Sequence, residues 1–411
     1  MVKMQFLGGA EKVGPNSLFM RASGRGLVLD YGMDPTKPPE YLTVIPPADA
    51  LLLTHAHLDH SGSIPFLVSA VDIPVYATPL TAEVVSLLWR DAVKVAKLNK
   101  YDIPYTLSDV DFATRAIVGV APGEELTIKG IKVRVYDAGH IPGAVSYLIE
   151  VEGKRILFTG DINTVETMLT QPAEVPECDV LIMESTYAGR DHPVREEVYR
   201  ELERKIEEVL ERGGKAVVPA FAVARTQELM ILLSERGFDV WVDGMGKAVT
   251  NMYLGYPDYI KNFDRLVRAT DRVRPVVRPS DRNKFLRKGE VVVTTGGMLE
   301  GGPALYYIGK LREDRNSAIL LTGYQVEGTN GRLLMDTGYL VIDGEQVKVD
   351  MEVAYYDLSA HAGHSGLVEY VMKADPEKVV LFHGEDREAL KREIEEDYEV
   401  LTPRSGEVFE V

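Results

Sequence analysis

The chain has 411 residues, of which 45% are hydrophobic and 27% are charged, and its formal net charge at pH 7 is −17. This length exceeds what one hydrophobic core usually supports, so we expect two domains, or one domain with a large insertion. The acidic balance excludes a protein that coats nucleic acid through bulk positive charge. Any basic surface must therefore be local.

The cysteine content and the distribution of apolar residues restrict the environment of the protein. The single cysteine, Cys178, forms no intrachain disulfide and no thiolate cluster, so any metal must be held by nitrogen and oxygen ligands. The N-terminal MVKMQFLGG is too poor in apolar residues for a signal peptide, and no stretch approaches the roughly 20 apolar residues of a membrane span. We expect a soluble, cytoplasmic protein without membrane contact.

In chain order, short β-rich apolar runs recur, and each ends at a polar residue that can bind metal. They are GLVLD at Asp30, ALLLTH at His55, KVRVYDAGH at His140, RILFTGD at Asp161, DVLIMES at Glu184 and KVVLFHGE at His383. Buried strands followed by functional loops at one edge of a sheet would bring these side chains together. The pattern therefore predicts a functional site at this edge of the sheet, lined by residues that can bind metal.

The densest motif is HAHLDHSG, which places three histidines and an aspartate within six positions. On a loop, His55 and His57 can serve one metal, and Asp59 and His60 a second. A continuous helix would distribute these positions around its circumference. The following SIPFLVSAV predicts a helix. A lone histidine is more often a packed core residue, but four ligand-type side chains at this spacing favour metal binding.

The middle of the chain has a different pattern. PVREEVYRELERKIEEVLERGG predicts an amphipathic helix with Gly213 and Gly214 as its C-cap. The strand patterns KAVVPAFAV, FDVWVDG, EVVVTTGG and SAILLTGY follow, with helical patterns in RTQELMILLSERG and KAVTNMYLGY, which predicts a parallel α/β sheet. We therefore predict an inserted α/β domain at 195–345 and a second domain built from 1–194 and 346–411.

These motifs carry a resemblance. T-H-x-H-x-D-H is similar to the signature of the metallo-β-lactamase superfamily, and Asp30, His140 and Asp161 resemble its first, third and fourth motifs. Glu184 in MESTY, His361 in DLSAHAGHSGL and His383 in VVLFHGE resemble motifs A, B and C of the β-CASP nucleases. The resemblance covers essentially the full length. It implies an α/β fold, namely a metallo-β-lactamase αββα sandwich with an inserted α/β (β-CASP) domain.

The resemblance also implies a role for each residue. It implies two Zn²⁺ per chain, held by His55, His57, His140, Asp59, His60 and His383, with Asp161 bridging. His361 would protonate the leaving group and Glu184 would orient it. Asp30 would hold a ligand histidine in place by a hydrogen bond to its free ring nitrogen. Asp59 is predicted both as a metal ligand and as a catalytic residue. The implied activity is hydrolysis of phosphodiester bonds in single-stranded RNA by a metal-bridging hydroxide.

Other interpretations stay open from the sequence. A di-zinc hydrolase of a small thioester or ester accounts for His55 through Asp161 but gives Glu184, His361 and the insertion no task. A non-catalytic RNA-binding subunit would have lost metal ligands, and every ligand position is filled here. Asp30 is also compatible with an ordinary turn. The sequence does not distinguish endonuclease from 5′-to-3′ exonuclease activity.

Substrate contacts and partners are less well specified. Arg225, Arg332 and Ser359 are candidate substrate-binding residues, although each arginine is equally compatible with a solvated or salt-bridged role. TTGGMLEGGP lacks the G-x-x-x-x-G-K-[ST] pattern of phosphate loops, so we predict no ATP binding. A homo-oligomer stays open. We expect no KH domain before the first strand and no long C-terminal extension.

Overall fold

The computed structural model describes residues 2–411, which divide into two compact units. One unit comprises the chain up to Asp191 together with Ala360–Val411, and the other comprises His192–Ser359. The insertion predicted at 195–345 falls within the second unit. That unit continues past residue 345 because the strand Glu352–Tyr355 joins its sheet. No helix in residues 2–411 combines the length and apolar character needed to cross a membrane.

The first unit is built on two seven-stranded sheets. One sheet has the order β24-β1-β2-β3-β6-β7-β8 and the other β23-β22-β13-β12-β11-β10-β9. The strands of the first sheet are β1 Lys3–Gly8, β2 Ser17–Ala22, β3 Arg25–Leu29, β6 Ala50–Leu52, β7 Val75–Ala77, β8 Ile117–Gly119 and β24 Val408–Glu410. Those of the second are β9 Glu125–Ile128, β10 Ile131–Asp137, β11 Val145–Val151, β12 Lys154–Phe158, β13 Val180–Glu184, β22 Lys378–Phe382 and β23 Glu399–Leu401.

Both sheets contribute to one hydrophobic core, in which Phe6 of the first sheet stacks on Phe382 of the second, with ring centroids 5.4 Å apart. The two sheets therefore pack face to face. The helices are α1 Leu58–Ser61, α2 Ile64–Val71, α3 Pro79–Asn99, α4 Leu107–Arg115, α12 His364–Ala374 and α13 Arg387–Ile394, and a short hairpin pairs β4 Met33–Asp34 with β5 Glu40–Tyr41.

The second unit contains one parallel sheet of order β16-β15-β17-β14-β18-β21, as the alternating strand and helix patterns predict. Its strands are β14 Ala216–Ala220, β15 Val240–Asp243, β16 Arg274–Pro275, β17 Val291–Thr295, β18 Ala318–Leu321 and β21 Glu352–Tyr355, beside the hairpin β19 Tyr339–Ile342 and β20 Glu345–Lys348. The helices are α5 Arg195–Glu211, α6 Arg225–Glu235, α7 Gly246–Tyr253, α8 Phe263–Arg272, α9 Pro279–Lys288, α10 Pro303–Leu311 and α11 Asn330–Thr337, with a 3₁₀ turn at Pro257–Tyr259.

The predicted C-cap of α5 is close to the observed one. The helix ends at Glu211 with Arg212 as its C-cap residue, and Gly213 follows at φ +78°. A residue in this left-handed region just after a helix is most often glycine, because a β-carbon would be strained there. Gly213 therefore terminates the helix, one position beyond the cap itself.

Candidate metal centre and active site

The strand ends of the first unit bring most of the histidines of the chain together. Six of its eight histidines lie in groups whose candidate ligand atoms are all within 4.8 Å of one another. Asp161 belongs to two of these groups. The groups are His55, His57, His140 and Asp161; Asp59, His60 and His383; and Asp161, Glu184 and His361. The structure thus assembles every residue predicted as a metal ligand.

The HAHLDH segment supplies its candidate ligands from a loop and from a helical turn. His55 and His57 lie between β6 and α1, as the loop prediction requires. Asp59 and His60, however, lie in the single helical turn α1, where the prediction of an uninterrupted loop was wrong. Asp59 and His60 are consecutive residues of this turn, so their side chains are only about 100° apart around its axis. The segment also passes close to Gly32, where a β-carbon would lie 1.6 Å from the backbone oxygen of Asp59.

The first group presents four atoms to one point. His57 Nδ1 lies 3.2 Å from His55 Nε2 and 3.2 Å from His140 Nε2. Asp161 Oδ2 lies 3.6 Å from His55 Nε2 and 3.8 Å from His140 Nε2. Zinc binds nitrogen and oxygen at about 2.0–2.2 Å, so donors around a tetrahedral ion are roughly 3.3–3.6 Å apart. These separations fit one ion.

The second group uses the other oxygen of the same aspartate. Asp161 Oδ1 is 3.2 Å from His60 Nε2 and 3.9 Å from His383 Nε2. Asp59 Oδ2 completes the group at 3.6 Å from His383 Nε2 and 3.9 Å from His60 Nε2. Asp161 therefore directs one carboxylate oxygen at each group, which is the arrangement a bridging ligand requires.

Hydrogen bonds behind the ligands determine which ring nitrogen is available. His60 Nδ1 lies 2.7 Å from Asp30 Oδ2, and His140 Nδ1 lies 2.8 Å from the backbone oxygen of Ala360. Both partners are acceptors, so each Nδ1 carries the proton and each Nε2 keeps its lone pair for a metal. Asp30 also accepts from the amide of Thr54 at 2.7 Å and from its hydroxyl at 2.8 Å. Asp30 therefore contacts the ring nitrogen of His60 that does not face Asp161, and its role in fixing a metal ligand stays a prediction.

Several polar atoms of the site are buried without a hydrogen-bond partner, namely His60 Nε2, Asp161 Oδ1 and both ring nitrogens of His383. Such atoms are costly unless a ligand satisfies them. In residues 2–411 no lysine or arginine forms an ion pair with Asp30, Asp59 or Asp161. Buried carboxylates and histidines without a cationic side chain fit a metal ion.

The ionisation of the ligands agrees with this fit. Burial lowers the pKa of His55, His57, His140 and His383, so these rings are neutral and able to bind metal. Burial opposes ionisation of Asp161, but the neighbouring His60 and His361, whose own pKa values are raised, outweigh burial and hold the pKa of Asp161 well below its usual range. His60 is the exception: burial lowers its pKa, but Asp161, Asp30 and Asp59 outweigh burial and raise the pKa well above its usual range, so a metal ion there must displace the proton on Nε2. The centre therefore combines four neutral imidazoles with an ionised carboxylate, and zinc prefers such nitrogen and oxygen donors.

His361 and Glu184 form a pair beside the first group. His361 Nδ1 lies 2.9 Å from Glu184 Oε1, while its Nε2 lies 3.8 Å from Asp161 Oδ2. Glu184 is fully buried and accepts from the amides of Ile162 at 2.8 Å and Thr186 at 3.3 Å. Burial lowers the pKa of His361, but Glu184 and Asp161 outweigh burial and raise it to about 9. The ring is thus held in one orientation with its Nε2 facing the centre.

Two polar residues of the site were missed from the sequence. Thr54 hydrogen-bonds Asp30 and lies 3.0 Å from His55 Nδ1, so it links a carboxylate to a ligand. Its position directly before His55 was an available signal. Asn16 Nδ2 lies 3.2 Å from His60 Nδ1, and the backbone amide of Asn16 donates to the backbone carbonyl of Asp59 at 2.7 Å. Asn16 is 44 residues from His60, and no local pattern marks it.

The three predicted substrate contacts belong to the second unit. Arg225 is 6% exposed, and its Nη1 lies 2.6 Å from Glu228 Oε2. The exposed Arg332 pairs with Asp336 at 2.8 Å. The Ser359 amide donates to Asp357 at 3.2 Å, and its carbonyl accepts from Arg195 at 2.7 Å. Each has an intramolecular partner, so their contact with substrate stays a prediction.

Three family models match successive parts of the chain. The Beta-lactamase superfamily domain matches residues 27–220, the Beta-Casp domain 226–334, and the Zn-dependent metallo-hydrolase RNA specificity domain 346–403. A crystal structure of a protein of unknown function from Enterococcus faecalis V583 has the same fold, with a TM-score of 0.62, 14% identity and 99% of each chain covered.

Curated relatives match over almost the whole chain. It is 36% identical to the Probable RNase MJ4 of Methanocaldococcus jannaschii over 99% of both chains. It is 37% identical to the RNase aCSPSF2 of Saccharolobus solfataricus, over 98% of this chain and 84% of the relative. It is 33% identical to the Transcription termination factor FttA of M. jannaschii, over 95% of this chain and 68% of the relative. The chain therefore belongs to the β-CASP family of the metallo-β-lactamase superfamily.

Proposed function

We propose that the protein is a metal-dependent ribonuclease that hydrolyses phosphodiester bonds of single-stranded RNA and requires two Zn²⁺ ions. The proposal rests on the position of Asp161. Its two carboxylate oxygens face two separate ligand groups beside the Glu184–His361 pair. Relatives named as RNases and the match to an RNA specificity domain support RNA as the substrate class.

The two ligand groups would hold one ion each. His55, His57 and His140 would bind the first and Asp59, His60 and His383 the second, with Asp161 shared between them. Two such ions, when bound, activate water as a nucleophile and neutralise charge on the phosphoryl oxygens. The residues behind the ligands, Asp30 and Thr54, hold the ligating nitrogens in place.

His361 would donate the proton to the departing ribose oxygen. A general acid must be protonated near neutral pH and must face the reacting bond. Glu184 gives His361 both properties, because its carboxylate orients the His361 ring through Nδ1 and favours the imidazolium form. This pair favours a nuclease over a hydrolase of small thioesters, since a thiolate leaves without help from an acid.

The division of the chain agrees with this assignment. We propose that the first unit is the metallo-β-lactamase domain, which carries every ligand, and that the second is the β-CASP insertion. Arg225, Arg332 and Ser359 of the insertion remain candidate substrate contacts. Cys178 is a free, buried thiol, which agrees with a reducing cytoplasm.

The test is the product pattern on one RNA sequence, uniformly labelled, with either a 5′-monophosphate or a 5′-triphosphate. Mononucleotides from the monophosphate substrate alone would establish a 5′-to-3′ exonuclease. Discrete fragments from both substrates would establish an endonuclease. The Asp161→Ala variant must be inactive on each. If the metal-loaded protein cuts neither RNA, the proposal is wrong.

A further inference from the structure

One segment of the second unit has the opposite charge to the rest of the chain. Residues 261–288 contain ten Lys and Arg against three Asp and no Glu, although the whole chain carries a net charge of −17. The segment forms α8, β16 and α9, and β16 is the outermost strand of its sheet. A local excess of seven positive charges in an acidic protein is the kind of surface that attracts a polyanion.

Half of these cations form no ion pair with a carboxylate within 4.0 Å, although the pKa of Glu235 is lowered by Arg265 and, less strongly, by the nearby Arg268 and Arg272. Four others are paired with carboxylates, namely Arg265 with Glu235, Arg274 with Asp239, Arg282 with Asp243 and Lys284 with Asp281. Five are exposed, and within residues 2–411 none of the five has a carboxylate within 4.0 Å: Arg268, Arg272, Arg278, Arg287 and Lys288. We call these five residues the basic patch.

Helix stability does not account for the basic patch as a whole. Arg272, Arg287 and Lys288 lie in the last turns of their helices, where a cation interacts favourably with the helix dipole. Arg268, however, is four residues before Arg272 on the same face of α8, and like charges at this spacing destabilise a helix. Arg278 precedes α9, at the end where the dipole disfavours a cation. Helix stability therefore does not explain the Arg268–Arg272 spacing or the position of Arg278.

We infer that the basic patch, none of whose residues is a predicted metal ligand, binds the phosphodiester backbone of RNA. The inference rests on the proposed function, since it takes RNA as the substrate. Exposed guanidinium and ammonium groups on two helices and their connection suit phosphates and carry no base specificity. The patch would thus hold RNA that extends beyond the bond being cut, and affinity would increase with RNA length.

The test compares a patch variant with a charge-matched control. The patch variant carries Arg268→Gln, Arg272→Gln and Arg278→Gln. The control variant removes three exposed lysines of the first unit, Lys97→Gln, Lys129→Gln and Lys132→Gln. Binding of fluorescein-labelled U₄₀ and U₆ is measured by anisotropy between 0.05 and 0.5 M KCl, with Asp161→Ala added to prevent cleavage. Circular dichroism and thermal unfolding confirm that both variants fold.

Each phosphate contact on a single strand contributes roughly 0.7 to the slope of log affinity against log salt, so the loss of three contacts should reduce the slope by about 2. At 0.1 M salt this corresponds to roughly 10- to 100-fold weaker binding of U₄₀. We expect the patch variant to bind U₆ with unchanged affinity. When Asp161 is kept, the patch variant should also cleave U₆ at an unchanged rate. The control variant should bind U₄₀ like the parent.

Unchanged U₄₀ affinity in the patch variant would overturn the inference, and that result would leave an acidic protein as the partner of this surface. An equal loss in the control variant would also overturn it, because bulk charge would then be responsible. The proposed function is judged separately. If the parent protein cuts no RNA but the patch variant still loses U₄₀ binding, the proposed function fails and the RNA surface stands.

Discussion

Replacing Asp30 by asparagine tests whether the hydrogen bonds behind the ligands control metal affinity. The carboxylate is fully buried and accepts three bonds, from the Thr54 amide, the Thr54 hydroxyl and His60 Nδ1, at 2.7, 2.8 and 2.7 Å. Asparagine has the same shape but only one acceptor oxygen. Either orientation of its amide must therefore lose an interaction.

The magnitude follows from the two orientations. If the oxygen faces His60, the new NH₂ faces the Thr54 amide, and an unsatisfied buried donor costs about 1–3 kcal/mol. If the NH₂ faces His60, Nδ1 must become the acceptor, the proton moves to Nε2, and the ligating lone pair is lost. Disruption of such supporting bonds typically lowers metal affinity 10–100-fold, or about 1.4–2.7 kcal/mol.

The assay is competition for Zn²⁺ against a chromophoric chelator, followed by total zinc content after dialysis. Asp49→Asn provides a matched control, because Asp49 accepts from the Gly26 amide and pairs with Arg25 away from the ligand groups. We expect weaker zinc binding in Asp30→Asn alone. Wild-type zinc affinity in that variant would refute the claim that Asp30 fixes the ligating tautomer of His60.

The remaining predictions concern the metal, the acid and the second unit. Chelation should lower the melting temperature. Zinc at 1,000 times its Kd should restore about 4 kcal/mol of stability, measured by calorimetry. A melting temperature that does not depend on zinc would contradict the assigned ligands. His361→Ala should slow RNA cleavage about 10²–10⁴-fold but spare a p-nitrophenyl phosphodiester, whose leaving group needs no proton, and equal losses on both would exclude an acid role. Glu228→Gln should destabilise the protein by about 3–5 kcal/mol in urea unfolding, because it leaves Arg195 and Arg225 buried without a counter-charge. A change below 1 kcal/mol would show that water compensates them.

Much of the fold was predictable because local patterns determined it. The apolar runs that end at Asp30, His140 and Asp161 are all strands with a functional residue just beyond, and the middle section is a parallel sheet. Hydrophobic periodicity indicates directly which residues are buried. The carboxyl ends of strands that run in the same direction lie at the same edge of the sheet. The seven predicted metal ligands are accordingly close together in space.

Contacts between residues far apart in the chain were decided only by the tertiary structure. Asn16 approaches His60 across 44 residues, and each oxygen of Asp161 faces a different ligand group. Arg225 could be identified from the sequence as a candidate phosphate contact, but only the tertiary structure brings Arg195, 33 residues from Glu228, to the same carboxylate. Motif spacing specifies which chemistry a chain can carry, because ligand type and strand position are local properties. Packing specifies which atom meets which, because orientation depends on residues that the local sequence does not contain.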